Sequence, residues 1–256
     1  MLTAQDLLSA AADYQPIAPA TRKGWQYGIK GFEETPVENI DEVFVTMRRV
    51  SLNRAGYKPG YVRTLLGYCG TIWKIGSRMK LVSSNPWRGS LEGLKKGKKD
   101  YPYLPFEHYS ALHDDPMFMG LWYHGFRVNE LAGTEPDDFV LDADVPYIHI
   151  RPNSIRGVKN TPSMRKVPIH PAYKPFIHRF KFSTNPNAGD YYSRRMKKIV
   201  GHSAHGIRHN ITTRMRKAGI EYSIAAAILG HDATGMTANY GHILLEDMAE
   251  QIQKLS

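Results

Sequence analysis

The stretch from His205 to Tyr240, HGIRHNITTRMRKAGIEYSIAAAILGHDATGMTANY, constrains the fold more than any other part of the chain. Its apolar residues recur at the spacing of amphipathic helices, and Ala218-Gly219 interrupts that pattern. The stretch therefore predicts two helices separated by a break. A Leu-Gly-His turn follows at 229–231, and one tyrosine, Tyr240, lies beyond it. In the first helix His205 and Arg208 are three residues apart, which places them on one face.

Two earlier segments carry charged residues in patterns that single them out. The first is Arg127-Val128-Asn129-Glu130-Leu131, at the start of a predicted helix. The second is KNTPSMRKVP, which runs from Lys159 to Pro168 between predicted strands. Each also has an ordinary interpretation. Arg127 and Glu130 alone would form a common helix-surface ion pair, and Lys159 could be a solvated hairpin lysine.

Taken together in this order, the three segments resemble the signature of the tyrosine recombinases, the phage integrase family. The resemblance covers residues 103–256 strongly and residues 1–95 loosely. It implies a mainly α fold with a small antiparallel β-sheet, made of an N-terminal helical core-binding bundle and an α+β catalytic domain. Asn160 departs from the pattern, because the family usually has threonine there.

The same resemblance implies a role for each matched residue. Two arginines would bind the scissile phosphate, a lysine would protonate the leaving 5′ oxygen, and a tyrosine would be the nucleophile. One histidine would assist in proton transfer, and the other would contact the phosphate. A glutamate would not touch the phosphate itself but would orient the arginine or the histidines that do. The residues at these positions are Arg127, Arg208, Lys159, Tyr240, His205, His231 and Glu130.

The residue types suit phosphoryl transfer. A phosphodiester gains negative charge in the transition state, and arginine offers a permanently charged, planar pair of donors. A tyrosine ester stores the energy of the broken bond and can be displaced again, because phenol has a pKa of about 10. Since arginines take the role of a metal ion, we expect neither metal nor cofactor.

Alternatives remain at several of these positions. Lys166 lies near Lys159 and competes for its role, and Tyr222 and the 191–192 tyrosine pair are rival nucleophiles, although they precede the Leu-Gly-His turn. The histidines could instead be zinc ligands, with His202, His209 or His242 completing the set. No cysteine or carboxylate completes a credible group, which disfavours zinc.

Charge and composition favour a nucleic-acid partner. The net charge is +10, and the first 100 residues hold 16 Lys and Arg against 9 Asp and Glu. No apolar run is long enough for a membrane span, the N-terminus lacks the features of a signal peptide, and one cysteine excludes an intrachain disulfide. We therefore expect a cytoplasmic, nucleoid-associated protein. The predicted DNA contacts are Lys58, Arg63, Lys74, Arg78, Lys80, Lys95, Lys96, Lys98 and Lys99.

The chain divides into three parts by its pattern. Residues 1–95 predict a helical DNA-binding domain, 96–102 a basic linker, and 103–256 the catalytic domain. The glycines and lysines of 88–102 argue against a packed element there. An N-cap is expected at Thr21, a polar loop at 182–192 and a short basic helix at 194–200. The amphipathic C-terminal tail could pack on its own domain or on a neighbouring subunit.

The resemblance thus implies a site-specific recombinase that breaks and rejoins DNA through a 3′-phosphotyrosine. Its partners would be double-stranded DNA at a specific core site, three further copies in a homo-tetramer, and DNA-bending accessory proteins. A catalytically silent DNA-binding protein and a type IB topoisomerase-like enzyme stay as alternatives. The core-binding resemblance begins within the first 20 residues or so, which leaves no room in this sequence for the arm-binding domain that many phage integrases carry. Either the protein works without arm sites, or the sequence is a fragment of a longer chain.

Overall fold

The computed structural model describes residues 1–95, 102–157, 163–231 and 243–255. The chain divides into two compact units, Met1–Lys99 and Asp100–Ser256, and each has a hydrophobic core of its own. Helices dominate both units, and a small antiparallel sheet lies in the second. Within the described ranges, no helix is long and apolar enough to cross a membrane.

The first unit is a four-helix bundle built around its longest helix. The helices are α1 (Ala4–Tyr14), α2 (Pro19–Ile29), α3 (Glu42–Arg54) and α4 (Pro59–Arg78). Helix α4 packs against the other three and buries Leu66 and Ile72, as its helical spacing predicts. Thr21 is not the N-cap, so that prediction was wrong. Helix α2 already begins at Pro19, because proline in the first turn has the helical φ and no amide donor to leave unsatisfied.

The stretch after α4 also belongs to the first unit. Arg63 donates to the carbonyls of Leu91 and Leu94 at 3.1 and 2.8 Å, and Arg49 donates to that of Glu92 at 2.9 Å. Leu94 is buried in the core. The expectation that 88–94 is unpacked was therefore wrong, because two arginine side chains satisfy carbonyl groups that a glycine-rich segment would otherwise leave to water.

The second unit surrounds a three-stranded antiparallel sheet in the order β1-β2-β3. The strands are β1 (Phe139–Val140), β2 (Tyr147–Ile150) and β3 (Arg165–Pro168), with Ile148 opposite Val167. Both of these side chains are fully buried. The helices are α5 (Pro116–His124), α6 (Val128–Ala132), α7 (Lys174–Ile177), α8 (Ala188–Val200), α9 (Ala204–Lys217), α10 (Tyr222–Leu229) and α11 (Leu245–Ile252).

Two helices of this unit bear on the sequence expectations. Helix α8 begins at Ala188, so Tyr191 and Tyr192 are helical and the predicted loop is shorter than expected. The tail helix α11 packs against β3 of its own unit and buries Met248 and Ile252, and Leu255 just beyond it is buried as well. A polar loop composition hid the first turn of α8, where Ala188 and Gly189 are the buried residues.

Candidate active site

Helix α6 starts at the charged motif and explains its spacing. Arg127 is the N-cap, and the Glu130 carboxylate accepts its backbone N–H at 2.8 Å. A glutamate three residues into a helix reaches back to the N-cap in this way and satisfies one of the unpaired amides of the first turn. Glu130 also accepts a hydrogen bond from Nη1 of Arg127 at 2.5 Å. The arginine side chain stays 31% exposed, so a second face of it is open to a ligand.

Arg165, the first residue of β3, binds the same carboxylate. Its Nη2 and Nη1 donate to the two oxygens of Glu130 at 2.9 and 3.3 Å. Both side chains are buried. Burial alone would raise the pKa of Glu130, but the charges and hydrogen bonds of Arg165 and Arg127 outweigh it and hold the pKa below its ordinary value. Glu130 is therefore an anion at neutral pH.

Arg208 lies on the inner face of α9 and is only 6% exposed. Its Nη1 donates to the carbonyl of Gly125, and its Nη2 donates to that of Leu229. None of the ion pairs between described residues includes it. Burial, followed by the charge of Arg127, lowers the pKa of Arg208 to about 10. The guanidinium is still protonated at neutral pH.

The C-terminus of α10 brings these arginines together. The carbonyl of Ile228 accepts from Nε of Arg165 at 2.7 Å, that of Leu229 from Arg208, and that of Gly230 from Nη2 of Arg127 at 3.2 Å. The last carbonyls of a helix have no intrahelical partners and form the negative end of its dipole. Three consecutive carbonyls thus hold three guanidinium groups in one cluster, which we call the arginine cluster: Arg127, Arg165 and Arg208.

Two histidines of the signature lie close to members of this cluster along the chain. His231 follows Gly230 directly, and loss of solvent and then the charges of Arg208, Arg127 and Arg165 lower its pKa. It is therefore neutral at neutral pH in the free protein. His205 is exposed on α9, one turn before Arg208, and its ring meets that of His209 edge-on at 4.9 Å.

The arginine cluster has the electrostatics of an anion site. Among the described residues, Glu130 pairs with Arg127 and Arg165, and Arg208 binds only backbone carbonyls, so positive charge remains uncompensated within the group. Guanidinium groups fixed by buried acceptors need little reorganisation to bind a phosphate and stabilise charge that develops on it. The arrangement suits an anion whose negative charge increases during a reaction.

Several solved structures of integrases share the overall fold of this chain. A fragment of the Tn1549 transposon integrase, in complex with circular intermediate DNA, superposes with a TM-score of 0.69 at 15% identity over 98% of this chain and 99% of that one. A lambda integrase tetramer bound to a Holliday junction gives 0.67 at 15% identity, over 96% and 81%. The fold is that of the tyrosine recombinases.

A lambda integrase dimer bound to a COC′ core site agrees, with a TM-score of 0.66 and 16% identity over 94% of this chain and 98% of that one. No protein-family model matches the chain, and neither does any curated protein sequence. At such identities the likeness identifies the tyrosine recombinase fold.

The structure brings part of the predicted site together. Arg127, Glu130, Arg208 and His231 converge at the end of α10, as described above. Lys159 and Tyr240 lie outside the described residues, and their roles stay predictions. The rival lysine, Lys166, is exposed on β3 with its ammonium group 4.8 Å from the ring of Tyr147.

Sequence reasoning missed Arg165 as a site residue. It belongs to the quoted segment from Lys159 to Pro168, but its position there suggested only a strand residue. The signal that could have identified it is a charged residue at the start of a strand, two positions before Val167 and so on the same face as that buried residue. In the tyrosine recombinase fold of this chain, Arg165 is buried and links β3 to α6 and α10.

The predicted DNA contacts of the first unit are mostly exposed. Lys58, Lys74, Arg78, Lys80 and Lys95 are at the surface, whereas Arg63 is half-buried and donates to carbonyl groups of its own unit. Lys96, Lys98 and Lys99 lie outside the described residues. Lys74 and Arg78 are one turn apart on α4, and we call this pair the basic stripe. Thr71 is exposed on the same side of the helix.

Metal ligation was the remaining alternative for the histidines. Among the residues that the structure describes, no group of three His, Cys, Asp or Glu side chains is arranged to hold a metal ion.

Proposed function

We propose that this protein is a site-specific DNA recombinase of the tyrosine class. The observation that carries the proposal is the arginine cluster, in which three guanidinium groups are fixed by carbonyls at the end of α10 and only two of them pair with a described carboxylate, that of Glu130. The fold shared with integrases that were solved on DNA supports the same conclusion. A phosphodiester of DNA is the anion that such a cluster would bind.

In the proposed reaction, Arg127 and Arg208 bind the non-bridging oxygens of the scissile phosphate. The hydroxyl of Tyr240 attacks phosphorus, a P–O bond to the tyrosine forms and the bond to the 5′ oxygen breaks. Lys159 gives that oxygen its proton, and His205 accepts or guides the proton of the tyrosine. Neutral His231 donates a further hydrogen bond to the phosphate. Attack by a 5′-hydroxyl of another strand reverses these steps and reseals the DNA.

The expected substrate is duplex DNA at a specific core site, bound also by the basic stripe of α4. Exchange between two duplexes requires four active sites, so we propose a homo-tetramer on DNA, acting in the cytoplasm and aided by DNA-bending proteins. Lambda integrase in the superposed structure is a tetramer on a Holliday junction, which supports this assembly. An integrase of a phage or mobile element is the biological role that we favour.

A covalent adduct tests the proposal. The protein is incubated with nicked suicide substrates, found first by a binding screen of host and element DNA, and the products are separated on a denaturing gel. We expect an adduct with the parent protein and with Tyr222→Phe, an exposed tyrosine at the start of α10. No adduct is expected with Tyr240→Phe. Loss of the adduct only in Tyr222→Phe would show that Tyr222, and not Tyr240, is the nucleophile.

Two further outcomes separate the alternative functions. Specific binding without an adduct, even after all strands of the site are supplied, would identify a silent DNA-binding protein. An adduct accompanied by relaxation of supercoiled DNA of any sequence, without strand exchange at one site, would identify a topoisomerase. Exchange between two copies of one site is the expected result.

A further inference from the structure

Arg165 has already used most of its hydrogen-bond donors within the protein. An arginine side chain has five N–H donors. The Nε of Arg165 donates to the carbonyl of Ile228 at 2.7 Å, and its Nη1 donates to the carbonyl of Ser163 at 2.9 Å and to Glu130 at 3.3 Å. Its Nη2 donates to the other oxygen of Glu130 at 2.9 Å, and the side chain is only 7% exposed. Arg165 is therefore poorly suited to bind a ligand itself.

The other two arginines of the cluster keep donors for a ligand. Arg127 donates from Nη1 to Glu130 and from Nη2 to the carbonyl of Gly230, and Arg208 donates to two backbone carbonyls. Each of them thus has three N–H donors that bind no described acceptor. The accounting divides the arginine cluster into two members that can present donors to a phosphate and one that cannot.

Glu130 is the group that would compete with a phosphate for Arg127. Its Oε1 lies 2.5 Å from Nη1 of Arg127, and it also accepts the backbone N–H of that residue at the start of α6. Arg165 binds both oxygens of the same carboxylate, and both of these side chains are buried. Water is largely excluded there, so a second arginine is what offsets the carboxylate charge. Without Arg165, the charge of Glu130 would act on Arg127 alone.

We propose that Arg165 is a positioning residue that offsets the charge of Glu130 and thereby leaves the positive charge of Arg127 to the scissile phosphate. This inference rests on the proposed function, because it assigns Arg127 to that phosphate. Arg127 and Glu130 alone form a neutral pair, which would stabilise a developing negative charge poorly. With Arg165, two arginines and one carboxylate form a group with a net positive charge.

A substrate without the phosphate charge distinguishes this role from a structural one. In a methylphosphonate, a methyl group replaces one non-bridging oxygen, so the scissile group is neutral before attack and gains less negative charge in total than a phosphodiester. Its reaction therefore depends less on arginine charge. The measured quantity is the rate of covalent adduct formation, at saturating protein, on suicide substrates with either group at the scissile position. Arg127→Gln is the reference and should lose far more rate on the phosphodiester.

Arg165→Gln should show the same pattern as Arg127→Gln. We expect its rate to fall by about 10²–10³ on the phosphodiester and by less than about tenfold on the methylphosphonate. The double variant Arg165→Gln/Glu130→Gln removes both charges of the buried pair, and its amide oxygen can still accept the backbone N–H of Arg127. Its rate on the phosphodiester should return to within about tenfold of the parent, because the two sites are coupled. It decides alone if Arg165→Gln does not melt cooperatively.

Arg151→Gln is the matched control. Arg151 pairs with another buried carboxylate, Asp138, at 2.9 Å and donates no described hydrogen bond to Glu130, so both rates should stay near those of the parent. A double variant as slow as Arg165→Gln, or equal losses on both substrates in Arg165→Gln, would show a merely structural role and overturn the inference. A parent that forms no adduct on either substrate would contradict the proposed function, and this inference would be withdrawn with it.

Discussion

Gly230 faces the guanidinium group of Arg165 so closely that a Cβ atom would lie 2.7 Å from its Nη1 and 2.9 Å from its Cζ. Arg165 cannot retreat, since it is bound to Glu130 and to the carbonyl of Ile228. Gly230 also has a φ of 61°, in the left-handed region. The Leu-Gly-His turn therefore needs glycine for its backbone conformation and for the space that Arg165 occupies.

Gly230→Ala should therefore abolish DNA cleavage as well as lower stability. The left-handed conformation of a residue with a Cβ costs about 1–2 kcal/mol, and displacement of Arg165 would disturb the arginine cluster. Adduct formation on the suicide substrate and thermal unfolding are the two measurements.

Gly219→Ala is the control for the backbone effect alone. Gly219 has a φ of 69°, and an added Cβ would meet no other described atom within 4 Å. We expect a similar loss of stability with retained cleavage. If both variants lose cleavage to the same degree, the contact between Gly230 and Arg165 has no bearing on the site.

Arg208→Lys separates charge from geometry. Lysine keeps the positive charge, but it cannot donate to the carbonyls of Gly125 and Leu229 while presenting a planar pair of donors to a phosphate. We expect DNA binding to persist and the rate of adduct formation to fall by about 10²–10³, the usual effect of removing one preorganised donor to a developing charge.

The matched control is Arg216→Lys, an exposed arginine on the same helix. It should leave the rate unchanged. A normal rate in Arg208→Lys would mean that Arg208 supplies only charge or structure, and the proposed contact with the scissile phosphate would be withdrawn.

The basic stripe of α4 should contribute to binding without regard to sequence. Replacing Lys74 and Arg78 by Gln should weaken binding to specific and nonspecific DNA alike. The slope of log K against log salt should become shallower by about 1 for each phosphate that the protein no longer neutralises. Arg54→Gln, an exposed arginine outside the predicted contact set, should leave the slope as it is. An unchanged slope in the double variant would exclude α4 as a phosphate-binding surface.

Much of this fold follows from local sequence patterns. The break at Ala218-Gly219 and the periodicity of the stretch after His205 place α9 and α10 correctly, because helix ends and amphipathic faces are encoded locally. Glu130, three residues after Arg127, similarly encodes the N-terminus of α6.

Interactions between distant residues are what the sequence does not reveal. Arg63 and Arg165 are the same residue type, yet one holds carbonyls of the segment before Lys95 and the other a buried carboxylate. Their partners are 31 and 35 residues away. Only the folded chain determines which arginine is internal and which faces solvent.

A buried histidine supplies a last test, on stability instead of catalysis. His124, at the end of α5, is fully buried, and its Nε2 accepts the backbone N–H of His170 at 2.9 Å. The other ring nitrogen, Nδ1, donates to the carbonyl of Gly120 at 2.9 Å. Burial lowers the pKa of His124 to about 3.

Because the folded pKa is depressed, His124 should make the protein less stable as the pH falls below 6.5. The unfolded chain takes up a proton there, but the folded protein does not until about pH 3. Between pH 7 and 5 the parent should lose about 2 kcal/mol relative to His124→Gln, which can form similar hydrogen bonds and has no such proton to bind. Denaturant unfolding at both pH values measures this difference. His178→Gln, at an exposed position, controls for removal of a histidine as such. If the free energy of unfolding of the parent fell no more than that of His124→Gln between pH 7 and 5, the folded protein would have to protonate His124.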